Sequence, residues 1–218
     1  MTKKIVIGDD HPMVRAALKT AIGSVVSDLI VFECSSLDDI VAAISAERSA
    51  IDLVLLDLSM PGPHGFAALF LLAAQFPTVP VAIVSARSDP ATIERAIAYG
   101  ASGYIPKSVD LHDLKTAITT ILAGEIWISA GSSAGPRECE DANAVAGRFA
   151  SLSLQQMRIL MMIVEGRLNK QIAGDLTIAE QTVKVHVSAI LRKLGVGSRT
   201  QAAVLAQRLL ATESEPQE

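Results

Sequence analysis

Five short apolar runs in the first half of this chain constrain its fold more than any other feature. They are Lys4–Gly8, Leu29–Cys34, Leu53–Asp57, Val81–Ser85 and Gly103–Lys107. Because they are nearly continuous in Val, Ile and Leu rather than alternating, they are typical of strands buried on both faces of a parallel sheet. Helical patterns separate or follow them, around residues 12–24, 37–47, 65–76, 89–99 and 110–123. This alternation predicts an α/β domain with a doubly wound, five-stranded sheet over residues 1–128.

The pattern changes after residue 128. We predict a linker over residues 129–150, because the stretch Gly131–Gly147 is small and polar and has no apolar stripe. From residue 151 to 211 the apolar spacing is helical, with predicted helices at 153–165, 169–176, 180–194 and 199–211. We therefore expect a small all-α domain of four helices over 151–211 and a disordered tail over 212–218.

Charge is divided unequally between these parts. Residues 1–128 contain 9 Lys and Arg against 14 Asp and Glu, whereas residues 151–211 contain 8 against 3. Such a division is expected when only the second part meets a polyanion, although an imbalance of this size is also ordinary. The longest apolar run, Phe66–Ala74, has about half the length of a membrane-spanning helix, so we predict no membrane partner. Two cysteines without CxxC spacing favour a reducing, cytoplasmic compartment.

Polar residues stand where the predicted strands end. Asp9 and Asp10 follow the first strand, Asp57 ends the third, Ser85 ends the fourth and Lys107 ends the fifth. In a flavodoxin-like strand order 2-1-3-4-5, these carboxyl ends meet at one edge of the sheet. Three carboxylates in one small space favour a hard divalent cation such as Mg²⁺.

This constellation resembles the receiver domain of two-component response regulators, over residues 1–123. The matching pieces are the DD pair, the Asp of LLDLSMPG, Ser85, Tyr104 and Lys107. The resemblance implies that Asp57 accepts a phosphoryl group from a sensor histidine kinase. It also implies a Mg²⁺ ion held by Asp10, Asp57 and the backbone carbonyl of Ser59, with Asp9 acting through metal-bound water.

The resemblance assigns the other pocket residues as well. Lys107 would pair with one phosphate oxygen, Ser85 would donate its hydroxyl to another, and Tyr104 would swing inward into the space that Ser85 vacates. Taken singly, Ser85 also fits a strand-end cap and Tyr104 a half-buried sheet aromatic. A phosphatase of the haloacid dehalogenase type is disfavoured, because Ser59 stands where that family needs a second Asp. We expect no turnover enzyme, only phosphorylation and dephosphorylation of the receiver aspartate.

Three histidines could be considered for a role in this pocket or at the surface. His11 could ligate a metal beside the acidic pair, but a place next to the ligands or in solvent is favoured. His64 and His112 are expected at the surface.

Residues 168–206 resemble the helix-turn-helix of the LuxR or NarL/FixJ class. The matching pieces are NKQIA, TVKVHV, KLGV and an Arg followed by AA. On the predicted recognition helix, apolar residues at spacings of three and four form a buried stripe, which leaves the opposite face for a DNA groove. The resemblance implies base contacts from Lys184, Val185 and Ser188. The phosphate candidates are Thr182, Lys170, Arg192 and Lys193.

Three positions depart from the family pattern. Many relatives carry a longer or basic residue at Ser188, which predicts an altered sequence preference or a weaker contact. Gln156 and Arg158 stand where acids are usual, so a charge partner within this domain, such as one for Arg199, is expected to be missing. His186 fits packing or a backbone or phosphate hydrogen bond better than base reading.

Together these features predict a regulator of transcription that is controlled by phosphorylation and binds double-stranded promoter DNA. The helix at 199–211 is expected to pack on its own domain and equally to mediate a homodimer in the active state. The alternative is a phosphate sink or antagonist that binds kinases but no specific DNA.

Overall fold

The computed structural model describes residues 2–47, 51–60, 66–129 and 147–210, with side chains to residue 207. The predicted tail, most of the predicted linker, and the loop that contains His64 lie outside these residues. Within the described residues, no helix is both long and apolar enough to span a bilayer.

The N-terminal domain is built on a six-stranded parallel sheet with the order β2-β1-β3-β4-β5-β6. The strands are β1 Lys3–Gly8, β2 Leu29–Cys34, β3 Leu53–Asp57, β4 Val81–Ser85, β5 Gly103–Pro106 and β6 Trp127–Ile128. The predicted order of the first five strands is confirmed. The count of five is corrected by β6, which pairs beside β5 through only two residues, too few to produce an apolar pattern.

Helices cover both faces of this sheet. They are α1 Pro12–Gly23, α2 Leu37–Ala46, α3 Ala67–Gln75, α4 Pro90–Ala98 and α5 Leu111–Leu122. Their starts follow local chemistry: Pro12 and Pro90 occupy first helical positions, and Ser36, Asp89 and Asp110 accept backbone N–H groups as N-caps.

The side chains of each strand alternate between two cores. In β1, Ile5 and Ile7 belong to the core that α1 and α5 complete, whereas Val6 belongs to the core on the opposite face. All three are fully buried, as expected for a central parallel strand. At the end of β1, a Cβ on Gly8 would lie 2.3 Å from Cδ1 of Ile40, so glycine allows α2 to approach the sheet just before the acidic pair.

The buried apolar residues of the C-terminal domain form one cluster with the core on the Val6 face of the N-terminal sheet. This domain consists of helices. They are α6 Leu154–Val164, α7 Asn169–Asp175, α8 Glu180–Leu194 and α9 Arg199–Leu210. Ser153 and Gln156 form a reciprocal capping box at the start of α6, and Gly195 ends α8 with a left-handed φ of 70°. Residues 147–150, placed in the linker by prediction, instead form a helical turn, and Phe149 in it is fully buried.

The two domains touch through α3. This helix is buried at every position from Ala67 to Leu72, although a helix on the outside of a sheet normally exposes one side. The ring of Phe70 lies 5.7 Å from that of Phe149. Arg158 of α6 also forms an ion pair with Asp38 of α2. The apolar surface of α3 is therefore covered in part by the C-terminal domain.

Candidate functional site

An acidic pocket lies at the carboxyl ends of β1 and β3. Ligand atoms of Asp9, Asp10, His11 and Asp57 all lie within 4.8 Å of one another. The side chains of Asp9 and Asp57 are almost completely buried, whereas that of Asp10 is 30% exposed. The register β1–β3–β4 places these strand ends side by side, so the predicted convergence of the three aspartates is confirmed.

Lys107 follows β5 and reaches across to this pocket. Its Nζ lies 2.7 Å from Oδ2 of Asp9 and 3.0 Å from Oδ2 of Asp57. Burial lowers the pKa of Lys107, but hydrogen bonds and charge interactions with the two aspartates outweigh it and raise the pKa above its usual value. The ammonium is therefore firmly cationic, and it balances one of the pocket's negative charges.

Ser85 and Tyr104 lie beside the pocket on β4 and β5. The Oγ of Ser85, which is buried, accepts a hydrogen bond from the backbone N–H of Arg87 at 3.2 Å. Tyr104 is fully buried, and its hydroxyl donates to the carbonyl of Arg87 at 2.9 Å. Burial raises the pKa of Tyr104 above its usual value. The ring is therefore already inside, rather than half-buried at the surface of the sheet.

His11 and Arg15 complete the surroundings of the acidic pair. The Nδ1 of His11 lies 2.7 Å from Oδ1 of Asp10 and 3.3 Å from Oδ1 of Asp9, while its side chain is 65% exposed. Arg15 was missed by the sequence reasoning. Its Nη1 donates to the backbone carbonyl of Asp9 at 2.6 Å, and its Nε lies 3.8 Å from Glu33. The only sequence signal was its position one helical turn after the acidic pair.

The donor set suits a hard divalent cation. Oδ2 of Asp9 faces Nζ of Lys107 at 2.7 Å, and Oδ1 of Asp10 faces Nδ1 of His11 at 2.7 Å. Three carboxylates and the imidazole of His11 nevertheless place their ligand atoms within 4.8 Å of one another. Oxygen ligands of this kind fit Mg²⁺. Ser59 lies two residues beyond Asp57, and its backbone N–H donates to Oδ1 of Asp57 at 3.2 Å.

A second candidate surface lies on α8. Lys184, Val185 and Ser188 are exposed on one face of this helix, as are Gln181 and Arg192. Val183, Ile190 and Leu194 are fully buried, while Val187 and Leu191 are partly buried against the same core. The predicted division into a buried stripe and an open face is confirmed. We call the exposed face of Lys184, Val185 and Ser188 the reading face.

Two residues of the reading face make contacts within α8. Nζ of Lys184 lies 3.0 Å from Oε1 of Glu180, one turn earlier. The hydroxyl of Ser188 donates to the carbonyl of Lys184 at 3.0 Å. To contact a base edge, the ammonium of Lys184 would have to leave Glu180. Exposed ion pairs of this kind stabilise helices only weakly, so breaking the pair costs little.

The phosphate candidates divide into two groups. Thr182, Lys170 and Arg192 are exposed. By contrast, Nζ of Lys193 lies 2.6 Å from the carbonyl of Ser151 and 2.8 Å from Oε1 of Gln156. Lys193 therefore joins α8 to the start of α6, a role that the sequence reasoning did not foresee.

The departures at Gln156, Arg158 and Arg199 also have structural counterparts. Gln156 accepts from Lys193, and Arg158 pairs with Asp38 of the other domain. Arg199 is not left without partners: its Nη1 donates to Oδ1 of Asn169 at 2.8 Å, and its Nη2 donates to the carbonyl of Arg167. The expected missing partner of Arg199 is thus replaced by neutral acceptors.

Comparison with known protein families identifies both parts of the chain. Residues 5–119 match the response regulator receiver domain, and residues 150–206 match the bacterial regulatory proteins of the luxR family.

Relatives match along nearly the whole length. The glycerol metabolism activator of Pseudomonas putida is 41% identical over 209 residues, covering 93% of this chain and 94% of that protein. The nitrate/nitrite response regulator NarL of Escherichia coli K12 is 34% identical over 202 residues, covering 92% and 93%. Among solved structures, RcsB from Salmonella enterica serovar Typhimurium bound to a promoter has 20% identity and a TM-score of 0.54, covering 94% and 98%. At that identity the likeness concerns the fold alone.

Proposed function

The chain belongs to the response regulators that join a receiver domain to a LuxR-type DNA-binding domain, and we propose that Asp57 is the residue whose phosphorylation controls it. As a member of this class, the protein is a DNA-binding regulator of transcription. The alternative of a phosphate sink without specific DNA binding is not favoured, because residues 150–206 match the luxR family, and the relatives that match nearly the whole chain include an activator and a response regulator.

One observation carries the assignment of Asp57. Its carboxylate lies at the centre of the pocket, with Nζ of Lys107 at 3.0 Å and the backbone N–H of Ser59 at 3.2 Å from its two oxygens. One carboxylate oxygen of Asp57 would attack the phosphorus of a phosphohistidine on the kinase, or of acetyl phosphate. The bond from phosphorus to the histidine nitrogen, or to the acetate oxygen, breaks as the acyl phosphate forms, and the histidine or acetate leaves with the bonding electrons. Lys107 can then pair with a phosphate oxygen. Asp9 is contacted on both oxygens as well, but at shorter distances, by Nζ of Lys107 at 2.7 Å and by the backbone N–H of His11 at 2.8 Å.

Asp10, Asp57 and the carbonyl of Ser59 would hold Mg²⁺ directly, and Asp9 would act through water. The ion would supply positive charge beside the transferring phosphoryl group. Around it, Lys107 bridges the buried carboxylates of Asp9 and Asp57, and Arg15 donates a hydrogen bond to the backbone carbonyl of Asp9. Ser85 would leave the N–H of Arg87 to donate to a phosphate oxygen. Tyr104 already lies inside, next to the same turn.

Labelling with acetyl phosphate in the presence of magnesium tests the acceptor. Asp57→Asn should abolish the acid-labile label, because an amide cannot form the acyl phosphate. Asp28→Asn is a matched control, since Asp28 is exposed and its known contact is with Thr2 at the chain's start. A label that persists in Asp57→Asn would place the acceptor elsewhere.

We also propose that the reading face enters the major groove of promoter DNA. Lys184 and Val185 would contact base edges, with a weaker contribution from Ser188, whose hydroxyl is tied to its own helix. Thr182, Lys170 and Arg192 would contact phosphates. Lys193 would contact a phosphate only if its ammonium left Gln156 and Ser151 on binding.

Substitutions on α8 separate these roles. Lys184→Ala should cost about 1–3 kcal/mol on the preferred sequence and relax the preference at one base pair. Arg192→Ala should weaken binding to all sequences alike and reduce the dependence of log K on log salt by about one. Both are measured by titrating labelled duplexes at several salt concentrations. Equal loss on all sequences for Lys184→Ala would remove it from base reading.

The remaining partners follow from the class. A sensor histidine kinase would supply the phosphoryl group, and two phosphorylated copies would pair on adjacent half-sites through α9. Such a regulator would work where the chromosome is, and this supports the bacterial cytoplasm as its location.

A further inference from the structure

The contact between the two domains involves α2 and α3 on the receiver side. Phe70 of α3 lies within van der Waals range of two rings: its centroid is 4.8 Å from that of Tyr99 and 5.7 Å from that of Phe149. Phe66 completes the cluster with an edge-on contact to Tyr99 at 5.1 Å. All four rings are buried. Aromatic rings at such centroid distances prefer a small set of relative orientations, so this cluster favours one arrangement of the two domains.

A charge pair fixes the orientation of this contact. Arg158 lies on α6, and its guanidinium pairs with Asp38 in the first turn of α2. Both side chains are partly exposed, 38% and 62%, so the pair orients the domains more than it stabilises them. The acid expected at the position of Arg158 would repel Asp38, which explains how this departure from the family pattern serves the contact.

The reading face is not part of this contact. With both domains present, the side chain of Lys184 is 54% exposed and Val185 is 60% exposed. Ser188 and Arg192 are exposed as well. The receiver thus touches the DNA-binding domain through Phe149 and α6, while α8 presents its open face to solvent.

We infer that the chain binds a single DNA half-site while its two domains remain docked. Phosphorylation then acts on a later step, the pairing of two copies on adjacent half-sites, rather than on uncovering the recognition helix. This inference rests on the proposed reading face, because it needs Lys184 to contact DNA in the docked chain.

Cross-linking tests the inference directly. The full chain with Asp38→Cys and Arg158→Cys, in a Cys139→Ser background, is treated with a short bismaleimide to join the two introduced thiols. Cys34 is left in place, since it is only 3% exposed. The matched control is the same variant capped with N-ethylmaleimide. The probe is a short duplex with one recognition sequence, selected from a random pool by the unmodified chain.

The inference predicts that the bismaleimide joins the two thiols within one chain in high yield. The cross-linked and capped forms should then bind the duplex with dissociation constants within about twofold of each other. Lys184→Ala should weaken both forms by the same factor. Binding by the capped form but at least a tenfold loss in the joined form would overturn the inference, and so would failure of the thiols to join within a chain. If the capped form does not bind either, the proposed DNA reading fails instead. An intact far-ultraviolet circular dichroism spectrum excludes misfolding as the reason.

Discussion

Removal of the positive charge from the acidic pocket should destabilise the receiver domain, and magnesium should restore much of the loss. Lys107→Met keeps most of the side chain's length and removes its charge. Nζ of Lys107 contacts Asp9 at 2.7 Å and Asp57 at 3.0 Å, and both carboxylates are almost fully buried. With an effective dielectric constant of about 20, each contact corresponds to roughly 6 kcal/mol of Coulomb attraction.

The net loss is smaller, because Lys107 no longer has to be desolvated in the variant. Removal of one partner from a buried ion pair typically costs about 3–5 kcal/mol, and we expect this range without metal. With saturating magnesium, the loss should fall by at least about 1–2 kcal/mol, since a site without a competing ammonium binds the cation more tightly.

The assay is urea unfolding followed by fluorescence. Trp127 is the single tryptophan, and it lies in β6, so its signal reports the receiver domain. Lys19→Met serves as the control, because it removes an exposed ion pair with Glu33 and should change the stability little. The reasoning is refuted if Lys107→Met matches the wild-type stability without metal, or if magnesium stabilises both chains equally.

The sign of the pH dependence provides a further check on the same variant. The folded-state pKa of Lys107 is raised, because the pull of Asp9 and Asp57 outweighs the effect of burial. A lysine whose pKa is raised in the folded state contributes its full stabilisation at pH values below its unfolded-state pKa. This stabilisation is lost as the pH rises through the folded-state pKa. The stability gap between wild type and Lys107→Met should therefore stay constant from pH 7 to about pH 10 and narrow above it.

Two further predictions concern buried groups. Tyr104→Phe removes the hydrogen bond to the carbonyl of Arg87 and should cost about 1 kcal/mol of stability at pH 7, measured by urea unfolding. Because burial raises the pKa of Tyr104, the higher stability of the wild type should be lost only as the pH rises above about 10. A stability difference that is unchanged at about pH 12 would contradict this reasoning. Burial raises the pKa of Cys34 to about 11, with a smaller contribution from Asp39. In a Cys139→Ser chain at pH 8, iodoacetamide should therefore alkylate Cys34 only as fast as the domain opens. Rapid alkylation of the folded chain would show that the thiol is not buried.

The acidic pocket could be predicted from the sequence because a general rule connects the two. Parallel strands end at a common edge, so Asp9, Asp57 and Lys107 meet there whatever the details of packing. The bonds of Arg15 and Lys193 could not be predicted in the same way. Their shortest hydrogen bonds are to the backbone carbonyls of Asp9 and Ser151, and every residue has such a carbonyl, so the amino-acid pattern does not predict these bonds.

The domain contact escaped prediction for a related reason. Asp38 and Arg158 are 120 positions apart, and no periodicity connects residues at that distance. The run that begins at Phe66 did contain a signal, since a surface helix with no polar side needs something to cover it.

The apolar character of α3 also has a consequence for exchanging output domains between regulators of this class. Phe149 belongs to the DNA-binding domain, yet its ring contributes to the environment of Phe70 in the receiver. A chimera that joined this receiver to an unrelated effector would expose the apolar surface of α3 to solvent and would tend to aggregate. Grafting should therefore succeed only with effectors that carry an aromatic residue at the equivalent point of entry, so this receiver is less interchangeable than its modular sequence suggests.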